Sequence, residues 1–202
     1  MKRVAPLLLL ALLLVAFPGT ASAATRSVTM NNGYSFHPGS ITIARGDKIQ
    51  WSNTSAVTDH DVYSSSISGY FSSGSQPGDL HQNDSYTFKF GSAGTFQYIC
   101  RIHSGEGMTG TIVVPISVSR LSSPTRFHVT AGTTKLASSA PYTHVYQVEK
   151  PGSSTWTTFT KSKSGSVNYA PTAHGTYHFR SYLQSTSGHG LSEPSPAVSA
   201  TF

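Results

Sequence analysis

Between Tyr98 and Met108 the chain reads Tyr-Ile-Cys-Arg-Ile-His-Ser-Gly-Glu-Gly-Met, so Cys100, His103 and Met108 form a C-x2-H-x4-M pattern. Upstream, Trp51-Ser52-Asn53 leads into a polar stretch that ends at His60-Asp61-Val62. A thiolate, two imidazoles and a thioether together form the donor set of a blue-copper electron-transfer centre. Thiolate and thioether favour Cu(I), while imidazole serves both oxidation states. A trigonal His2Cys plane with a weak axial Met is acceptable to both, so little has to reorganise on electron transfer. Three donors on one short loop between two strands can converge on one ion. The fourth, His60, comes from a distant strand end and ties that loop to the rest of the fold. Gly105 and Gly107 are expected to let the loop turn back between His103 and Met108. Cys100 is the single cysteine of the chain. No disulfide within the chain and no four-cysteine zinc site is therefore possible.

The elements that must position these residues read as β throughout. Short segments rich in Val, Ile, Thr, Tyr and Phe alternate with Gly, Pro, Ser and Asn clusters. Ser40–Ile43, Lys48–Trp51, Tyr86–Phe90 and Thr111–Val114 alternate at period two, as half-buried sandwich strands do. No window shows sustained helical periodicity. The first β block closes at Val113-Val114-Pro115. A second runs to Phe202 and includes His144–Val148 and Thr176–Tyr182. Residues 1–23 have the pattern of a secretory signal peptide: Lys2 and Arg3, then a Leu/Ala/Val run, then Ala21-Ser22-Ala23. The expected division is 1–23 signal peptide, 24–114 copper-binding domain and 115–202 second β-sandwich. With no cysteine at the cleavage site and no later segment apolar enough to span a bilayer, the mature protein is expected to be secreted, periplasmic or at the cell surface.

Residues 28–114 resemble the plastocyanin-like type 1 copper domains, the cupredoxins. The matching text is Phe36-x-Pro38-x2-Ile41-x-Ile43-x2-Gly46-Asp47-x-Ile49-x-Trp51-x-Asn53, then His60-x-Val62, Phe71-x2-Gly74 and Tyr86-x-Phe88. It closes with Gly94-Thr95-Phe96-x-Tyr98-x-Cys100-x2-His103-x4-Met108-x-Gly110. The loop length matches plastocyanin rather than the shorter loop of amicyanin. The resemblance implies a cupredoxin Greek-key β-sandwich holding one type 1 copper through His60, Cys100, His103 and Met108. Three positions depart from the family pattern. Asp61 stands where Asn often follows the first His, and Ile99 and Ile102 stand where plastocyanins often have Tyr and Pro. The amide that Ile102 retains is expected to donate to the Cys100 sulfur. With Ile99 aliphatic, electrons are expected to leave through the exposed edge of His103.

The second block resembles a fibronectin type III module. The Tyr177-x-Phe179-Arg180 strand precedes the turn Gly190-x-Ser192-x-Pro194-Ser195. The fold class is thus all-β: a cupredoxin sandwich followed by an immunoglobulin/fibronectin III-like sandwich. Tyr177 is expected to play the tyrosine-corner role of such folds, and Trp156 to lie in the strand after Tyr146-x-Val148. A cell-surface or carbohydrate contact through Tyr and Trp side chains is one role for this block.

Composition narrows the function classes. Charged residues make up 11% of the chain and hydrophobic residues 37%, against about 25% charged in ordinary soluble domains. Residues 24–114 carry a net charge of −1, and residues 115–202 carry +5 with no basic run. Nucleic-acid binding has no support. His-x-His and His-Cys-His are absent, which argues against a multi-copper oxidase or nitrite reductase. G-x-S-x-G and H-E-x-x-H are absent too, which argues against the corresponding hydrolases. The expected function is therefore not enzymatic. It is one-electron transport by one copper, with an unidentified redox partner docking near His103. Copper storage without a redox partner and a cell-surface adhesion role are the alternatives. Asn53-Thr54-Ser55 and Asn83-Asp84-Ser85 match glycosylation sequons.

Overall fold

The computed structural model describes residues 22–202 except Pro124. The leader assigned to residues 1–23 lies almost wholly outside the described residues. The strands of the first half are β1 (Thr25–Met30), β2 (Phe36–His37), β3 (Ser40–Thr42), β4 (Lys48–Asn53), β5 (Tyr63–Ser64), β6 (Ser85–Lys89), β7 (Gly94–Ile99) and β8 (Thr109–Val114). Those of the second half are β9 (Ser117–Ser122), β10 (Thr125–Thr130), β11 (Tyr142–Glu149), β12 (Thr157–Ser162), β13 (Ser166–Tyr169), β14 (Thr176–Ser185) and β15 (Val198–Thr201). The protein is all-β, as expected, and no described helix is long and apolar enough to cross a membrane.

The first half pairs the sheet β2-β1-β4-β6 with the sheet β3-β8-β7-β5. Period-two alternation aims Val28 and Met30 of β1, Ile49 and Trp51 of β4, Phe96 and Tyr98 of β7, and Ile112 and Val114 of β8 into one core. Each such large side chain stabilises by about 1.5–3 kcal/mol when fully buried. Trp51 anchors this core, with Phe71, Tyr86, Phe90 and Tyr98 within 5.4–6.3 Å ring to ring. Gly110 of β8 lies against the Tyr98 ring, where a Cβ would come within 2.2 Å of it.

The second half pairs β13-β10-β9 with β12-β11-β14-β15 over a core that includes Phe127, Val129, Tyr146, Val148, Tyr177 and Phe179. The Tyr177 hydroxyl accepts from the amides of Thr172 (3.0 Å) and Ala173 (2.9 Å) and donates to the Ala173 carbonyl (2.8 Å). It thus makes the corner expected of it. Trp156 precedes β12 rather than lying in it, because Thr157 is the first residue paired with β11. Its ring lies under the Arg180 guanidinium, 4.1 Å away.

The two halves share side chains as well as a chain connection. Leu183 of β14 is fully buried in the first core, and Leu136 and Tyr142 pack against it. Ala93 from the first half is buried in the second core. Strand β7, which leads to Cys100, exchanges two backbone hydrogen bonds with Glu193: Thr95 N to Glu193 O at 2.9 Å, and Glu193 N to Thr95 O at 3.0 Å. The Thr95 hydroxyl also donates to the Pro194 carbonyl at 3.0 Å. The turn that reads as a fibronectin-like signature therefore serves as a clamp on β7.

Candidate metal centre

Strand β7 delivers Cys100 at its end, and a 3-10 turn over Arg101–His103 follows at once. Three backbone bonds close the loop: His103 N to Cys100 O (3.2 Å), Met108 N to His103 O (3.1 Å) and Cys100 N to Met108 O (3.1 Å). Of the two loop glycines, Gly107 adopts the left-handed conformation (φ 80°) and Gly105 does not. The turn-back therefore rests on one glycine rather than two. Met108 is fully buried in the first core.

His60 is fixed from the other side. Its backbone exchanges two bonds with Leu80, at 3.0 and 2.8 Å. Asn53, at the end of β4, donates its side-chain amide to the Leu80 carbonyl (2.8 Å) and the Thr58 carbonyl (3.0 Å), while its oxygen accepts from Ser55 N (2.8 Å). This explains the Trp51-x-Asn53…His60 spacing. It also removes Asn53 as a glycosylation site, since the amide is buried and fully engaged; Asn83 is exposed. The His60 Nε2 lies 3.1 Å from the Asn31 carbonyl. Nε2–H donates there, which leaves the Nδ1 lone pair facing Cys100.

The donor atoms converge. His103 Nδ1 lies 3.4 Å from Cys100 Sγ and His60 Nδ1 lies 3.9 Å from it. The three donor atoms all fall within 4.8 Å of one another. Atoms so spaced can share one first-row ion at bonds of about 2.0–2.3 Å. Cys100 and His60 are fully buried and His103 is partly buried. Burial pushes the Cys100 thiol up to about 11, with the Asp61 amide acting against the rise. Burial also lowers the His60 pKa below the ordinary imidazole value. A neutral imidazole is a ligand-ready imidazole. The thiol must lose its proton as a metal binds.

The surroundings correct one expectation and answer a question left by another. The donor to the Cys100 sulfur is not the Ile102 amide but that of Asp61, at 3.4 Å. Ile102 sits in the 3-10 turn with its side chain 42% exposed. The departure at Asp61 is matched by Arg101. The buried Asp61 carboxylate accepts from the Arg101 backbone amide (2.6 Å) and pairs with its guanidinium. The guanidinium continues to the carbonyls of Gly74, Ser75 and Gln76 and lies 4.8 Å over the Tyr63 ring. Sequence reasoning also missed Tyr34, which packs against the His103 ring at 4.4 Å between centroids and is itself 42% exposed. The remaining histidines lie apart from this cluster. His37 and His81 are exposed, and His81 pairs with Asp59 at 2.9 Å. His144 is buried between Ser92 Oγ (3.0 Å) and the Ser164 carbonyl (3.1 Å).

A β-sandwich that brings one thiol and two imidazole Nδ1 atoms together, with a buried Met on the same loop, offers a donor set able to hold a soft metal ion. Residues 23–115 match the model of the copper binding proteins of the plastocyanin/azurin family. The chain is 35% identical over 86 residues to plastocyanin of Scenedesmus fuscus, covering 39% of this chain and 85% of that protein. It is 31% identical over 83 residues to chloroplastic plastocyanin of Tetradesmus obliquus, covering 39% of this chain and 57% of that protein. Among solved structures, a mutant fern plastocyanin matches with a TM-score of 0.37 and 22% identity, over 44% of this chain and 99% of that one. The chain belongs to the plastocyanin/azurin family of copper binding proteins.

Proposed function

We propose that this protein is a secreted blue copper protein that binds one copper ion through His60, Cys100, His103 and Met108 and carries single electrons. The observation that supports this most is the approach of both imidazole Nδ1 atoms to the Cys100 sulfur, at 3.9 and 3.4 Å. Bound copper would supply the one-electron Cu(I)/Cu(II) couple. The protein's own residues do the rest. Asn31 fixes the His60 tautomer, the Asp61 amide supports the sulfur, and burial of Cys100 excludes water. His103 is the least buried of the four, so electrons enter and leave there. The partly exposed Tyr34 and Ile102 offer a redox partner an apolar contact beside it.

In this reading residues 1–23 are a removed leader, residues 24–114 carry the copper, and the fibronectin III-like block of residues 115–202 supports it. Reduction of the copper-loaded protein by a small mediator tests the assignment. Rapid exchange with copper retained in both states supports electron transport. Release of copper on reduction supports storage instead.

A further inference from the structure

We propose that the cleft between the two sandwiches is a second binding site, which takes a small organic carboxylate on Arg45. The cleft is open to solvent, has a volume of about 600 Å³ and is lined from the first half by Ile43 and Arg45, and from the second by Pro115, Ile116, Thr130 and Thr133. Its size and its place at a junction of two domains are those of small-molecule sites. Strand β8 runs from the metal loop at Thr109 to Val114 beside this cleft. Six residues at about 3.3 Å each put the cleft roughly 17–20 Å from that loop.

Arg45 is the reason for choosing an anion. Its guanidinium is partly buried and donates to the Pro115 carbonyl (2.6 Å) and the Ser117 hydroxyl (2.8 Å). Both partners are neutral. Among the described residues no carboxylate pairs with it. The nearest acid in sequence, Asp47, spends its carboxylate on the amides of Ala24 (2.8 Å) and Ala44 (3.2 Å). A partly buried arginine without a counter-charge is costly, and burial depresses its pKa accordingly. Two of five N–H donors are used, so the planar fork retains donors for a carboxylate. Ile43 and Ile116 form an apolar floor with only their edges exposed, and Pro115 and the threonines stand at its rim.

Amide NMR of the full chain, titrated with sodium benzoate at constant ionic strength, tests this. Saturable shifts at Ser117, Gly132 and Thr133 are expected, the same with and without copper, and absent with benzamide. Arg45→Gln, which keeps a polar side chain but loses the charge, should weaken benzoate binding tenfold or more, as expected for a lost charge-assisted pair. Its unchanged copper uptake would show that the variant is folded. Shifts that do not saturate, shifts produced equally by benzamide, or unweakened binding in a folded Arg45→Gln protein would overturn the proposal.

Discussion

The Asp61 carboxylate is fully buried against Arg101, the residue that follows Cys100, and so joins the two loops that bring His60 and Cys100 together. The same Asp61 offers its amide to the Cys100 sulfur. One residue thus grips the thiol-bearing loop twice. A carboxylate in that position is tolerable because the guanidinium neutralises it and three backbone carbonyls hold the guanidinium in turn.

Breaking this pair by removing one partner leaves the other uncompensated. Asp61→Ala should destabilise the copper-free protein by about 3 kcal/mol or more, measured by urea unfolding. Asp61→Asn retains an acceptor for the Arg101 amide and should cost less than Asp61→Ala. Equal losses for the two would mean that the backbone contact contributes nothing.

The donors themselves separate by strength. Cys100→Ser should abolish the visible thiolate-to-copper band. Met108→Leu should keep that band and shift the reduction potential, because an axial thioether is a weak ligand. Its stability cost should stay below about 1.5 kcal/mol, as for a near-isosteric buried replacement. Visible spectra, voltammetry and urea midpoints of the two variants check all three statements.

The shared core predicts joint unfolding. Leu183 belongs to the second half by sequence and to the first core by packing. Leu183→Ala should cost about 2–5 kcal/mol and lower the temperature at which copper colour is lost. In the unsubstituted protein, loss of colour and loss of far-UV signal should coincide. Two well-separated transitions would show that the halves unfold independently.

Acid should weaken the copper-free protein through His144. Its folded pKa is lowered by burial, so above pH 6.5 both folded and unfolded forms are neutral. Below 6.5 the unfolded chain takes up a proton that buried His144 resists. Stability therefore falls as pH drops from 6.5 through the folded pKa. His60 is lowered as well and acts in the same direction. Urea midpoints at pH 7.5, 6.0 and 5.0 should decline in that order, and His144→Gln should flatten the decline.

Much of this site was legible in the chain because its signals are local. Cys100, His103 and Met108 sit on one loop, alternation marks the strands that frame it, and the upstream Trp51-x-Asn53 pattern points to His60. The parts that were hidden join residues distant in sequence. Asp61 and Arg101 are forty positions apart, and neither type announces a buried pair. Tyr34 reaches His103 only because β1 and its following turn fold over the loop. Pro115 read as a plain boundary, since no pattern in Leu136, Tyr142 or Leu183 says which core will receive them. The amide that Ile102 retains in place of a proline points to a donor on the same loop, whereas the donor to Cys100 comes from Asp61 on the facing loop.

The most direct test is addition of Cu(II) to the purified protein, followed through the visible spectrum. The site described here should give an intense thiolate-to-copper band that grows to an end point at one copper per chain and vanishes on reduction. A protein that stays colourless at stoichiometric Cu(II), with its Cys100 thiol still free, would contradict the assignment.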